Sequence, residues 1–182
     1  MRAHGGRLEA LLSRVGRRRG ESLEAALARA VDLDALSHVE QLETRVLRDG
    51  TLATAYLGLV RADIDLPGAW RPASGPWDAD DGELVAAAQA RLRAKLSYTN
   101  LGFALAPEVF TISELREVYV AALGHDVSAT NLQRVLLRRG AIERVDGRRA
   151  PGRTGGRPAA LFHFSARRVE VTDEFAALRP PR

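Results

Sequence analysis

Cysteine is absent from this 182-residue chain, which excludes disulfides, thiol nucleophiles and thiolate metal sites. The four histidines, His4, His38, His125 and His163, are scattered without the spacing of zinc ligands, so no metal is expected on them. No apolar run approaches the ~18 residues that a membrane helix needs. The opening segment, MRAHGGRLEALLSRVGRRRGE, has no sustained apolar stretch of signal-peptide type. The expectation is a cytoplasmic protein with no membrane partner. Lysine is almost missing too: Lys95 is the only one among 27 basic residues, and arginine supplies the rest. Arginine is abundant together with alanine, a pattern that codon composition also produces, so arginine number alone argues little. Apolar residues make up 46% of the chain, which is ordinary for a globular protein and excludes disorder throughout.

What is present is concentrated between Thr111 and Phe164. Thr111 and Glu114 stand three apart, the spacing of a capping box. Behind them Leu115, Val118, Tyr119, Ala122 and Leu123 recur at the period of a one-faced helix, and Gly124 supplies a left-handed stop. Ser128 is placed to cap a second helix whose apolar positions, Leu132, Val135 and Leu136, share a face and which ends at Gly140. Away from that stripe lie Ala129, Thr130, Asn131, Gln133, Arg134 and Arg138. Small, amide and guanidinium groups of this kind suit base edges and phosphates.

After Gly140 the period changes to alternation in Ala141–Val145, and alternation returns in Leu161–Phe164, as in two strands of a hairpin. Between them DGRRAPGRTGGRPAA holds four glycines, two prolines and Arg148, Arg149, Arg153 and Arg157, too polar and flexible for a core. From Arg134 to Arg168 ten arginines face two acids, Glu143 and Asp146, an excess of eight where the whole chain carries +4. Capped helix, tight turn, polar-faced helix, strand, basic loop and strand, in that order, read as a winged helix-turn-helix that binds double-stranded DNA. The candidate DNA-binding residues are Ser128, Thr130, Asn131, Gln133, Arg134, Arg138, Arg148, Arg149, Arg153 and Arg157. A helical pair alone would be an ordinary all-α motif, and a basic run alone a solvated face.

The first half is read more coarsely: a strand from Arg7 to Val15, a helix from Ser22 to about Val31, and a hairpin of Val39–Thr44 and Ala53–Val60 turning at Asp49 and Gly50. Pro67 to Asp81, with three prolines and both tryptophans, reads as a loop anchored by Trp70 and Trp77. A helix is expected from Glu83 to Leu96, on Leu84, Val85, Ala88, Leu92 and Leu96, and a short apolar segment, Leu101–Leu105, as the first helix of the DNA-binding unit.

The run KLSYTNLGFALAPEVFTISELREVYVAALG, then NLQRVLLRRGAIE and GGRPAALFHF, resembles the C-terminal winged helix of the Nudix-related transcriptional regulators of NAD metabolism. The resemblance covers Lys95 to Phe164, with its most specific pieces at Tyr98, Thr99 and Phe103, in FTISELREVY, and at Gly156–Ala159. It implies a dimeric regulator, usually a repressor, whose Nudix domain senses ADP-ribose. GESLEAALARAV resembles the start of a Nudix box, with Glu21 and Arg29 on the box positions. The metal-binding glutamates of the box fall on Ala30, Leu33 and Asp34, so hydrolytic chemistry is not expected. Only about twenty residues precede Glu21, which implies a shortened sheet.

The resulting expectation is an α+β chain: a truncated, degenerate Nudix-like α/β remnant over 1–94, a winged-helix domain over 95–170, and a tail over 171–182. It is a DNA-binding regulator, not an enzyme, with no cofactor, no assigned cofactor-binding residue, ADP-ribose as the effector the resemblance implies, and a homodimer. The rivals are an ADP-ribose or nucleotide-diphosphate-binding Nudix-type sensor or hydrolase, and a winged helix turned to protein–protein contact.

Overall fold

The structure is a computed structural model that describes residues 1–150 and 158–173. It opens with an antiparallel hairpin of β1 (Arg2–His4) and β2 (Arg7–Ala10), to which β5 (Arg71–Pro72) adds on the β2 side. The strand expected over Arg7–Val15 stops at Ala10, where its pairing with Arg71 ends. Helix α1 (Leu23–Ala30) starts where expected because Ser22 Oγ accepts from Ala25 N at 3.0 Å. A 3-10 turn, Leu33–Ala35, leads into the long hairpin of β3 (His38–Val46) and β4 (Leu52–Leu59). Its turn is the one read from Asp49 and Gly50: Asp49 Oδ1 accepts from Thr51 N at 2.8 Å, and Gly50 takes φ 84°.

Helix α2 (Ala79–Tyr98) is longer than the periodicity of Glu83–Leu96 indicated. Asp78 caps it, accepting from Asp81 N at 3.0 Å, and Asp80 and Asp81 complement the positive end of the helix. This start was hidden inside a segment read as loop. Val85, Ala88, Leu92 and Leu96 form the buried stripe of α2. On the flank of that stripe the chain's only lysine, Lys95, pairs with Glu40 of β3, and Arg91 reaches the same carboxylate at 3.5 Å. Trp70 and Trp77 are half-buried, each under a guanidinium 4.2 Å from its ring, Arg2 and Arg71 respectively.

The second half runs through a 3-10 turn (Leu101–Ala104), α3 (Ile112–Leu123), α4 (Ala129–Arg138), β6 (Ile142–Arg149) and β7 (Ala159–Phe164). The apolar segment expected as a first helix is thus only a 3-10 turn, although Leu101, Gly102, Phe103 and Ala104 are all buried. Gly102 explains the compactness: a Cβ there would stand 2.7 Å from the Tyr119 hydroxyl and 2.8 Å from Phe164 Cζ. One strand of this half was not foreseen. Phe110 exchanges both backbone hydrogen bonds with Phe162, at 3.0 and 2.8 Å, and so lies on the free side of β7 as a one-residue third strand.

One apolar cluster joins Leu8, Leu57 and Leu59 of the first half to Leu92, Phe110, Leu115, Leu136, Ile142 and Phe162. The N-terminal hairpin packs against α3. The division drawn at residue 94 falls inside α2, and the one drawn at 170 falls beside Val171, which bridges to Thr99. Buried Asn100 holds the segment after β7 in place, donating to Arg168 O at 2.9 Å and accepting from Glu170 N at 2.8 Å.

Candidate nucleic-acid interface

Four local devices set the two helices against each other. Thr111 and Glu114 make the full capping box: Glu114 N donates to Thr111 Oγ1 at 3.3 Å, and Thr111 N donates to Glu114 Oε2 at 2.7 Å. Gly124 ends α3 in the left-handed region at φ 76°. Arg116 then ties the turn back, donating to Val127 O at 2.8 Å and pairing with Asp126. Ser128 Oγ accepts from Asn131 N at 3.4 Å and starts α4. Ser128 therefore has a structural part in the site as a cap.

Leu132 and Leu136 of α4 are buried against α3, with Val135 half-buried beside them. A turn of 100° per residue then carries Thr130, Asn131, Arg134, Leu137 and Arg138 onto the opposite face, and all five are exposed. Gln133 borders the stripe and is half-buried. Arg134 Nη2 donates to Asn131 Oδ1 at 2.7 Å, which orients the amide and leaves its NH2 group outward. Leu137, exposed at 41%, was not among the candidates, which were drawn from the small, amide and guanidinium residues off the apolar stripe. It places an apolar patch among the polar groups, of the kind that packs on a thymine methyl.

The β6–β7 hairpin follows α4, and β6 is in contact with that helix. Its register runs from Ile142↔Phe164 to Val145↔Leu161 and then skips to Arg148↔Ala160, so Asp146 and Gly147 bulge out, with Gly147 at φ 106°. Arg148 and Arg149 lie in β6 rather than in the loop assigned to them, because pairing with Ala159 and Ala160 extends the hairpin. Arg148 is exposed, whereas Arg149 turns toward α3 and pairs with Glu114. Arg153 and Arg157 lie outside the described residues.

The box-like segment of the first half is built differently from a metal site. Arg29 holds Glu21 through two hydrogen bonds of 2.9 Å and also donates to Gly16 O at 2.7 Å. With Arg29 first and the Arg18 backbone second, these bonds pull the Glu21 carboxyl down to about 2. Ala30 and Leu33 offer no side-chain oxygen, Asp34 is exposed, and Glu21 is already committed to Arg29. These residues do not fit a divalent cation. Among the described residues no group of three or more His, Cys, Asp or Glu is placed to hold a metal. A cavity of about 790 Å³ lies between α1, the β3–β4 hairpin and α2, and its walls are mainly aliphatic, including Leu27, Leu36, Val39 and Leu57. Arg17 of the basic GRRRGE patch lines it, and so does Arg14, which is paired with Asp81. No helix among the described residues is long and apolar enough to cross a membrane.

Residues 102–164 match the family described as the NrtR DNA-binding winged helix domain. Over 86 residues the chain is 35% identical to the ADPR responsive transcriptional repressor NtrR of Acinetobacter baylyi, an alignment covering 47% of this chain and 33% of that protein. The chain thus spans about a third of the curated relative it matches. The crystal structure of Shewanella oneidensis NrtR complexed with a 27mer DNA superposes with a TM-score of 0.61 at 26% identity, covering 80% of this chain and 74% of that one. A second crystal structure of the same protein gives 0.60 at 25%, with the same coverage. Residues 102–164 are an NrtR-type winged-helix DNA-binding domain, and through it the chain is homologous to the Nudix-related NrtR and NtrR regulators.

Proposed function

We propose that the chain is a DNA-binding transcriptional repressor that lays α4 in the major groove of its operator. The observation that carries this is the exposed stripe of Thr130, Asn131, Arg134, Leu137 and Arg138, on the second helix of a capped pair and followed in the chain by a basic hairpin. Asn131 and Gln133 suit adenine and Arg134 suits guanine, while Arg148, Arg153 and Arg157 serve phosphates. The relatives support the reading: one is named an ADPR responsive transcriptional repressor, and another was crystallised with DNA. A homodimer, a cytoplasmic location and ADP-ribose as effector extend the proposal. The chain is proposed not to be a hydrolase, since Ala30 and Leu33 stand where the box needs carboxylates.

Binding to a duplex selected from a random pool tests this. Neutralising roughly six phosphates gives a log K against log salt slope of about −5. Asn131→Ala should weaken the selected duplex by about 1 to 3 kcal/mol and leave random DNA unchanged, whereas Arg148→Ala should weaken both alike. Failure to select any duplex would overturn the reading, and equal losses for Asn131→Ala on both DNAs would remove α4 from base recognition.

A further inference from the structure

The hairpin arginines do not have equivalent surroundings. Arg148 is exposed with no ion pair among the described residues, but the guanidinium of Arg149 spans two points at the entry to the helix-turn-helix. Only Glu114 lies within the helix pair, the second point being just ahead of its cap: Nη1 donates to Glu114 Oε1, and Nη2 donates to Val109 O at 3.3 Å. Both anchor points are themselves fixed. Glu114 closes the capping box of α3 with its other oxygen, Oε2, and Val109 precedes Phe110, which bridges to β7. On the hairpin side the Asp146–Gly147 bulge interrupts the ladder just before Arg148, so the outer part of β6 has only its pairs with Ala159 and Ala160 to direct it.

We infer that Arg149 is a positioning residue, whose two-point clamp on Glu114 and Val109 sets the direction of the wing relative to the recognition helix, and that it is not a phosphate contact. The inference takes its functional consequence from the DNA-binding reading above, while the clamp itself does not depend on that reading. A planar guanidinium can reach a carboxylate and a carbonyl together; an ammonium is a point charge and cannot reproduce the fork. The carboxylate at Glu114 would be unhelpful beside DNA unless Arg149 covered it, so the pair also hides a negative charge at the edge of the interface.

Three variants of the full chain distinguish clamp from contact: Arg149→Lys, Arg149→Ala and Glu114→Gln, the last of which keeps a capping acceptor. With the selected duplex, all three should lose affinity by roughly three- to tenfold, the scale of losing one ordered side chain's preorganisation. The Arg149→Ala salt slope should match the wild type, whereas Arg148→Ala should lower its magnitude by about 0.9. A phosphate contact gives the opposite pattern: Arg149→Lys binds like wild type, Glu114→Gln binds as tightly or tighter, and Arg149→Ala lowers the slope. Either set decides the matter. Hydrogen exchange in the protein without DNA gives a readout that survives failure of the DNA-binding reading. All three variants should speed exchange at Arg148 and Ala160 severalfold and leave Ile142 and Phe164 unchanged; unchanged exchange at both places would overturn the clamp.

Discussion

One guanidinium, that of Arg29, holds both oxygens of Glu21 and the carbonyl of Gly16, and thereby closes the loop in front of α1. The spacing of these two residues was legible through the Nudix-box resemblance, and the contact follows that spacing. Its consequence is measurable. The Glu21 carboxyl sits at about 2, below the ~4.3 of a free glutamate, so the native state binds its proton less readily than the unfolded chain. The stabilisation from this pair is complete above the ordinary value and is lost as pH falls toward 2. Carboxyl titration by NMR should find Glu21 ionised at pH ~3 in the native chain, and Arg29→Ala should return it toward the ordinary range. A wild-type midpoint near that of a free glutamate would contradict the clamp. Arg149 shows the limit of sequence reading at this scale: composition placed it with Arg148, Arg153 and Arg157, and only the fold, bringing Glu114 across a separation of 35 residues, distinguishes it.

Elements were legible where their signals are local. Caps at Ser22, Thr111 and Ser128, the left-handed Gly124 and the alternation around Val145 and Phe162 act over a few residues, and each recurs in the fold. Elements defined by distant partners were not legible. β1, β5 and the single-residue strand at Phe110 exist because another strand pairs with them, and α2 begins in a Pro-rich segment because Asp78 is free to cap it. The packing of α3 on the 3-10 turn belongs to this second class. Tyr119 is buried, and burial raises its phenol above the ordinary range while its hydroxyl has no hydrogen-bond partner among the described residues. An unpaired buried hydroxyl is destabilising, so Tyr119→Phe should be neutral or raise stability by about 1 kcal/mol. Gly102→Ala should lower it by about 1 to 3 kcal/mol, since its Cβ would meet the same ring system. Denaturant unfolding of both variants checks the pair, and a clear loss in Tyr119→Phe would mean that the hydroxyl has a partner in solution.

At the scale of the molecule, the question is whether the two halves stand alone. The resemblance divides the chain into a Nudix-like remnant and a DNA-binding unit, and the helix periodicity ran straight through the position where that boundary was drawn. The packing argues for one cooperative body. α2 packs against both β3 and α3, the N-terminal hairpin packs on α3, and Leu92, fully buried, lies in the cluster that the halves share. Across the far end, Arg139 after α4 meets Asp173 at 2.7 Å with both side chains 12% exposed, so residues 168–173 tie the end of α4 to the segment held by Asn100. Leu92→Ala removes a core side chain at the junction and should destabilise by about 2 to 5 kcal/mol. Both tryptophans lie in the first half, at 70 and 77, and the DNA-binding elements lie in the second. Tryptophan fluorescence and retention of the selected duplex should therefore be lost at the same denaturant concentration in the wild type and should shift together in Leu92→Ala. If fluorescence shifted while DNA binding persisted to the wild-type midpoint, the winged helix would be independently stable, and any effector signal would have to cross a flexible joint. Coincident loss means that a change of a few kcal/mol anywhere along α2 is felt at α4, which is the mechanical condition for a ligand in the first half to control DNA binding in the second.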